Sequence, residues 1–117
     1  IQHPLSSTII SKIQLNNMSM ATSGTYNNNF IYNDNIYAHI INPKSGYPYE
    51  YSDISATVIS NICLDADALA TMALTMNKED FLDIINNDAN VECYIVEVIE
   101  NKIVEYKSLN FNKYIID

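Results

Sequence analysis

Loose alternation of apolar and polar positions runs along most of the chain, broken by one stretch of helical period. "STIISKIQL" alternates and is rich in β-branched residues, which predicts a strand over Ser7–Leu15. "NMSMATS" predicts a second strand ending near Ser23, where Gly24 allows a turn. Asn27–Asn29 reads as a loop or a strand entry. "FIYNDNIYAHII" then predicts a hairpin, Phe30–Tyr32 and Ile36–Ile41, joined across Asn33-Asp34-Asn35. "ISATVIS" returns to strand. "VECYIVEVI" and "IVEYKSL", on either side of Glu100-Asn101-Lys102, predict a closing hairpin.

From Leu64 to Met76 the period changes. Leu69, Met72, Ala73 and Met76 fall at i, i+3, i+4 and i+7, the spacing of one apolar helical stripe. Asp65 is placed to cap this helix. A second helix is expected from about Glu79 to Asn86, with Asn77 as its N-cap and Asp80 three residues on. Asn42–Asp53 is an irregular loop, because Pro43 and Pro48 cannot donate to a strand ladder. Strands outnumber helices and short turns join most of them. The fold class predicted is α+β: a largely antiparallel sheet with two adjacent helices packed on it.

Length and charge narrow the function. A chain of 117 residues is one domain at most, and its start at Ile1 instead of Met is expected of a piece of something longer. The formal net charge is -8 and Arg is absent. That argues against nucleic-acid binding, which needs cationic side chains to displace counterions. Phosphate recognition must then rest on Lys, backbone N–H groups, helix ends or a bound cation. No apolar run approaches the ~18 residues that span a bilayer. Cys63 and Cys93 lack zinc-site spacing and are expected as two buried thiols.

The candidate chemistry lies between Ser23 and Thr71. Asp67 and Thr71 stand at i and i+4 on one helical face, beside the apolar stripe, where partial burial is expected. One carboxylate and one hydroxyl make a half-site for Mg²⁺, which completes its octahedron with water and substrate phosphates. They equally suit a dipole partner and a hydroxyl bonded back into the helix. His39 ends a strand just before the irregular loop, a position suited to a general base or to a packed core histidine. Lys44-Ser45-Gly46 lacks the spacing of a nucleotide P-loop but offers N–H groups and an ammonium to a pyrophosphate.

In order, "ATSG-Y", "HIINPKSGYP", "ATVI" and "CLDADALAT" resemble the C-terminal half of the ApbE family, the FAD:protein FMN transferases. The resemblance implies that residues 1–117 are the C-terminal portion of such a domain, with the N-terminal half outside the chain. It implies an enzyme that takes FAD and Mg²⁺, breaks the pyrophosphate, releases AMP and attaches FMN to a Thr or Ser of an acceptor protein. Asp67 and Thr71 would be Mg²⁺ ligands. His39 would lie beside the flavin nucleotide and position or deprotonate the acceptor hydroxyl. Ser23, Ile40, Pro43, Lys44 and Gly46 would help to form the FAD pocket. The implied partners are FAD, the acceptor and the missing N-terminal half, and the implied location is the bacterial cell envelope, as a lipoprotein on the outer side of the cytoplasmic membrane. Water in place of the acceptor hydroxyl would make an FAD pyrophosphatase. A non-catalytic flavin-binding module is the third reading, motivated by Thr25, which stands where the family usually has an acid.

Overall fold

The computed structural model describes residues 1–116. The chain runs β1 (Ser19–Gly24), β2 (Asn29–Tyr32), β3 (Asn35–Ala38), β4 (Asp53–Ser60), α1 (Cys63–Ala73), α2 (Lys78–Asn86), β5 (Val91–Ile99) and β6 (Lys102–Lys107), then a 3₁₀ turn at Phe111–Tyr114. Four strands form one sheet in the order β1-β4-β5-β6, with every neighbouring pair antiparallel. β2 and β3 form a separate two-stranded ribbon. The predicted α+β architecture, two helices on an antiparallel sheet, is the one observed.

Register decides which side chains meet. Ile54, Ala56 and Val58 of β4 point towards the helices with Cys93 and Ile95 of β5, and Ala66, Ala70, Ala73, Phe81 and Ile85 close over them. On the opposite face Ile59, Tyr94 and Val96 pack with Phe111. β4 is therefore buried from Ile54 to Ser60, its apolar residues interleaved with the small hydroxyl side chains Ser55, Thr57 and Ser60. Both tight hairpins turn through two residues at positive φ, Asn33-Asp34 and Glu100-Asn101, as twisted antiparallel pairs require.

Ser7–Leu15 departs from expectation. It forms no strand, only isolated bridges from Gln2 to Ile9 and from Ile13 to Ile115. Ile10, Ile13 and Leu15 instead lie as an irregular strap over the second sheet face. Alternation here records burial against a sheet and not membership of one.

The helices also refine the pattern. α1 begins at Cys63 with Ile62 at its N-cap, so Asp65 sits inside the first turn and caps nothing by its side chain. There its charge still meets the favourable end of the helix dipole. The face pressed onto the sheet is Ala66, Ala70 and Ala73, all 0% exposed, while Leu69, Met72 and Met76 flank it, partly buried. Met76 lies beyond the end of α1. The Asn77 cap is as predicted, its side chain accepting from Glu79 N at 2.9 Å and Asp80 N at 3.3 Å. Lys78 ties the two helices together by donating to the Ala73 carbonyl at 2.9 Å and the Met76 carbonyl at 3.1 Å. Burial holds its ammonium below the usual lysine value, and Glu97 opposes that shift.

The cysteines divide: Cys93 is buried, but Cys63, at the exposed start of α1, is not. Burial pushes the Cys93 thiol up to about 12, so it stays protonated and unreactive near neutrality. Titration of the native chain with a thiol-specific disulfide reagent should label Cys63 promptly and Cys93 only after denaturant is added. Prompt labelling of both thiols would contradict this packing.

Candidate functional site

The Ala face sets α1 close to the sheet, and Asp67 and Thr71 flank it on the outward side. Both are exposed, where partial burial was expected. Thr71 donates from Oγ1 back to the Asp67 carbonyl at 3.3 Å, the ordinary helical habit of a threonine. Its second contact crosses the fold. Ser23 Oγ lies 3.1 Å from Thr71 Oγ1, joining the end of β1 to the last turn of α1.

Ser23 is held in place on either side along its strand. Opposite Ala56 in the register, it points to the helix-covered face. Thr22, on the other face, meets Thr57 hydroxyl to hydroxyl at 2.8 Å. Gly24 leaves room for the Tyr26 ring; a Cβ there would fall 2.4 Å from Tyr26 Cε1 and 3.1 Å from the Ile54 carbonyl oxygen. The glycine is thus demanded by close approach.

Thr25 turns inward. Its hydroxyl donates to the Ser52 carbonyl, and Ile54 N donates to it at 3.3 Å. The side chain is buried and occupied with backbone, so it splices β1 to the entry of β4. The sequence does not reveal this role. Nor does it reveal the group that roots the ribbon: Asn29 Nδ2 donates to the Tyr26 carbonyl at 3.3 Å and the Thr25 carbonyl at 3.4 Å, and reaches Tyr51 Oη at 3.5 Å. Tyr51 in turn donates to Asp53. Burial first, then the hydrogen bond to Asp53 and its charge, push the Tyr51 phenol up to about 12. The sequence signals were the last of three consecutive asparagines at one strand start and Tyr-Ser-Asp at another.

His39 follows β3, exposed, with its backbone N–H donating to the Asn28 carbonyl at 3.2 Å. Ile40 is half-buried and its carbonyl accepts from Tyr49 N at 3.0 Å. The loop beyond is built by its own backbone. Gly46 N donates to the Asn42 carbonyl and Asn42 N to the Tyr47 carbonyl, each at 2.8 Å, while Lys44 N donates to Asn42 Oδ1 at 2.9 Å. Gly46 takes a φ of 75°, which favours glycine. Pro43, Lys44 and Gly46 are exposed. Among the described residues no hydrogen bond joins His39 or this loop to Ser23, Asp67 or Thr71. The structure brings Ser23 and Thr71 together on the turn that carries Asp67, and leaves the His39 loop as a separate piece.

No group of three or more His, Cys, Asp or Glu side chains able to hold a metal ion occurs among the described residues. A cation at Asp67 and Thr71 would therefore be held by one carboxylate and one hydroxyl, with water and phosphate oxygens for the rest. Both are hard oxygen donors on one helical turn, and that donor set fits Mg²⁺ and not a thiophilic metal.

This antiparallel sheet with its two helices superposes on about a third of each of two ApbE proteins of known structure. The ApbE protein of Thermotoga maritima superposes with a TM-score of 0.78 at 25% identity, over 99% of this chain and 37% of that one. The apo Pseudomonas stutzeri flavinyl transferase ApbE gives 0.70 at 27% identity, over 87% and 32%. The chain belongs to the ApbE family, whose sequence model matches residues 1–95. The FAD:protein FMN transferase of Haemophilus influenzae is 35% identical over 86% of this chain and 29% of its own length. That of Buchnera aphidicola is 34% identical over 90% and 31%. The chain thus spans about 30% of these curated relatives.

Two stability effects follow. Thr25→Val leaves the Ser52 carbonyl and Ile54 N–H without their partner, and should lower unfolding free energy by about 1–3 kcal/mol in urea titrations. No loss would mean that the splice is not what holds β4 to β1. For Tyr51 the folded-state pKa is raised, so its contribution is complete below the ordinary value of 10.0 and is lost as pH rises through about 12. The stability gap between the native chain and Tyr51→Phe should be constant up to that ordinary value and narrow above it. A gap that widens at high pH would reverse the sign of the argument.

Proposed function

We propose that the protein to which this chain belongs is an FAD:protein FMN transferase, moving FMN from FAD to a Thr or Ser hydroxyl of an acceptor protein and releasing AMP. The observation that carries the reading is the Ser23–Thr71 hydroxyl contact, one helical turn from Asp67, in a chain of ApbE sequence and fold. Relatives bearing the activity's name support it.

Asp67 and Thr71 would hold Mg²⁺, which when bound supplies neutralising charge for the non-bridging pyrophosphate oxygens in a chain without Arg. Ser23 would face the same phosphates from β1. The exposed Lys44 ammonium suits the remaining anionic oxygens, while the Lys44 and Gly46 N–H groups are taken up within the turn. His39 and Ile40 would border the flavin end. His39, exposed at the root of the loop, would orient the acceptor hydroxyl and take its proton, which a neutral hydroxyl must lose to attack phosphorus.

The remainder of the catalytic domain is part of this proposal, with residues 1–117 as its C-terminal portion. A two-stranded ribbon is marginal by itself. β2 is exposed along its whole length, and Phe30, Ile31, Tyr32 and Ile36 are exposed large apolar side chains. Such a surface suits burial by the rest of the domain. The outer side of the bacterial cytoplasmic membrane, as a lipoprotein, is the location proposed with it. FAD pyrophosphatase activity is the same cluster with water as acceptor.

Incubation of an N-terminally extended protein with FAD, Mg²⁺ and an acceptor should give covalent flavin fluorescence on the acceptor, with AMP released in equal amount. Asp67→Ala should lower that rate by at least about a hundredfold, as loss of a charge-stabilising group does. FMN and AMP without labelled acceptor would mean hydrolysis. Activity unchanged by Asp67→Ala would remove the helix pair from the mechanism.

A further inference from the structure

Lys78 is the first residue of α2, where a positive charge is unfavourable because the N-terminal end of a helix dipole repels cations. Its amine serves the neighbouring helix instead. α1 has no basic residue in its last turn, and Lys78 Nζ donates to its Ala73 carbonyl and to the Met76 carbonyl beyond. An ammonium has three N–H donors. Among the described residues these two carbonyls are its hydrogen-bond partners, and no carboxylate is in ion-pair contact with it. A neutral amine keeps both bonds with its two N–H groups and holds its lone pair in the remaining tetrahedral position.

Lys78 also lines a cleft of about 350 Å³ with Met76, Asn77, Glu79, Glu97 and Tyr106. Three groups titrate there besides the amine: Glu79 on α2, Glu97 on β5 and Tyr106 on β6. Burial favours the neutral amine, and the Glu97 charge opposes that shift. A lysine neutral for more of the time than its exposed counterparts is the more reactive nucleophile.

We propose that Lys78 is an acylation site, taking an acyl group from an uncharged thioester that enters the cleft. The lone pair attacks the acyl carbon, an N–C bond forms and the C–S bond breaks. The thiolate leaves with the electron pair and takes up the proton that nitrogen sheds. The cleft selects the donor by charge, since Glu79 and Glu97 repel an anionic acyl phosphate and leave a neutral thioester unhindered. Nothing in this inference depends on the proposed cation site.

Acylation removes the charge and leaves nitrogen with one N–H, so at most one of the two carbonyls keeps its donor. The end of α1 is then released from the start of α2. The residues set loose include Leu74 and Thr75, whose N–H groups donate to the Thr71 and Met72 carbonyls at 3.1 and 3.0 Å.

The test is acetylation of the N-terminally extended protein by S-acetyl-N-acetylcysteamine, an uncharged thioester, with each lysine read by peptide mass spectrometry. At neutral pH Lys78 should be acetylated several times faster than the exposed Lys44 and Lys102. Acetyl phosphate, which is anionic, should show no such preference. Acetylation of Lys78 no faster than that of Lys44 and Lys102 overturns the proposal, and the same preference with acetyl phosphate overturns the selection by charge. Amide hydrogen exchange reads the release of α1. It should quicken at Leu74 and Thr75 after acetylation and stay unchanged in Lys78→Arg treated alike, because a guanidinium is not acylated under these conditions. Unchanged exchange in the acetylated native protein, or equal quickening in Lys78→Arg, overturns the release.

Discussion

The separation between α1 and the strands beneath it is set by three methyl groups. Ala66, Ala70 and Ala73 are all 0% exposed and press on a surface that includes Ala21 and Ala56. Helix-to-sheet distance follows the size of the contacting side chains, so an Ala face brings the helix backbone closer than leucines would. The 3.1 Å contact between Ser23 and Thr71 exists only at that separation. An added ångström would take it past hydrogen-bond range. Core packing and site geometry are here one constraint. Small side chains contribute little apolar area of their own, and Ile54, Val58, Ile95, Phe81 and Ile85 supply the larger share of burial around them.

The other half of the candidate site obeys a different rule. His39 and the turn after it are placed by backbone hydrogen bonds and by the root of the ribbon, where Thr25, Asn29, Tyr51 and Asp53 fasten irregular chain to the start of β4. Polar fastening suits a segment whose large apolar side chains are not packed on the sheet, since each buried backbone group must still find a partner. The result is a helix half and a hydrogen-bonded loop half, with no hydrogen bond between their candidate residues among the described residues. A ligand as long as a dinucleotide, or a further piece of protein, is what could bridge two such halves.

How much of this could be read from the residues varies with the range of the interaction. The closing hairpin, β4, α2 and its Asn77 cap were legible, because alternation, turn residues and capping are local. The Asp67 and Thr71 pair was legible for the same reason, being one helical turn apart. Ser7–Leu15 misled because an irregular strap over a sheet face shows nearly the alternation of a strand. Asp65 and Cys63 misled together: the helix starts at Cys63, which makes the acid a first-turn residue and leaves the thiol on an exposed corner. Partial burial of Asp67 and Thr71 was over-read from the apolar stripe, since the buried face is made of alanines one position away. The Ser23 to Thr71 contact spans 48 residues and depends on strand register, which no local pattern specifies.

Thr25 shows why a hydroxyl suits the corner between β1 and β4. The resemblance implies an acid at this position, and a carboxylate in the place of this hydroxyl would lie against the Ser52 carbonyl with no proton to share. The threonine satisfies that carbonyl and accepts from Ile54 N as well, so the local backbone is better satisfied with a hydroxyl than with an anion. The proposed pair carries a single carboxylate, Asp67, and attraction for a divalent cation falls with ligand charge. A cation held here would depend on the phosphates of the nucleotide for the rest of its ligands. Cation and nucleotide should then bind cooperatively, each weak alone, because each supplies the charge that the other lacks.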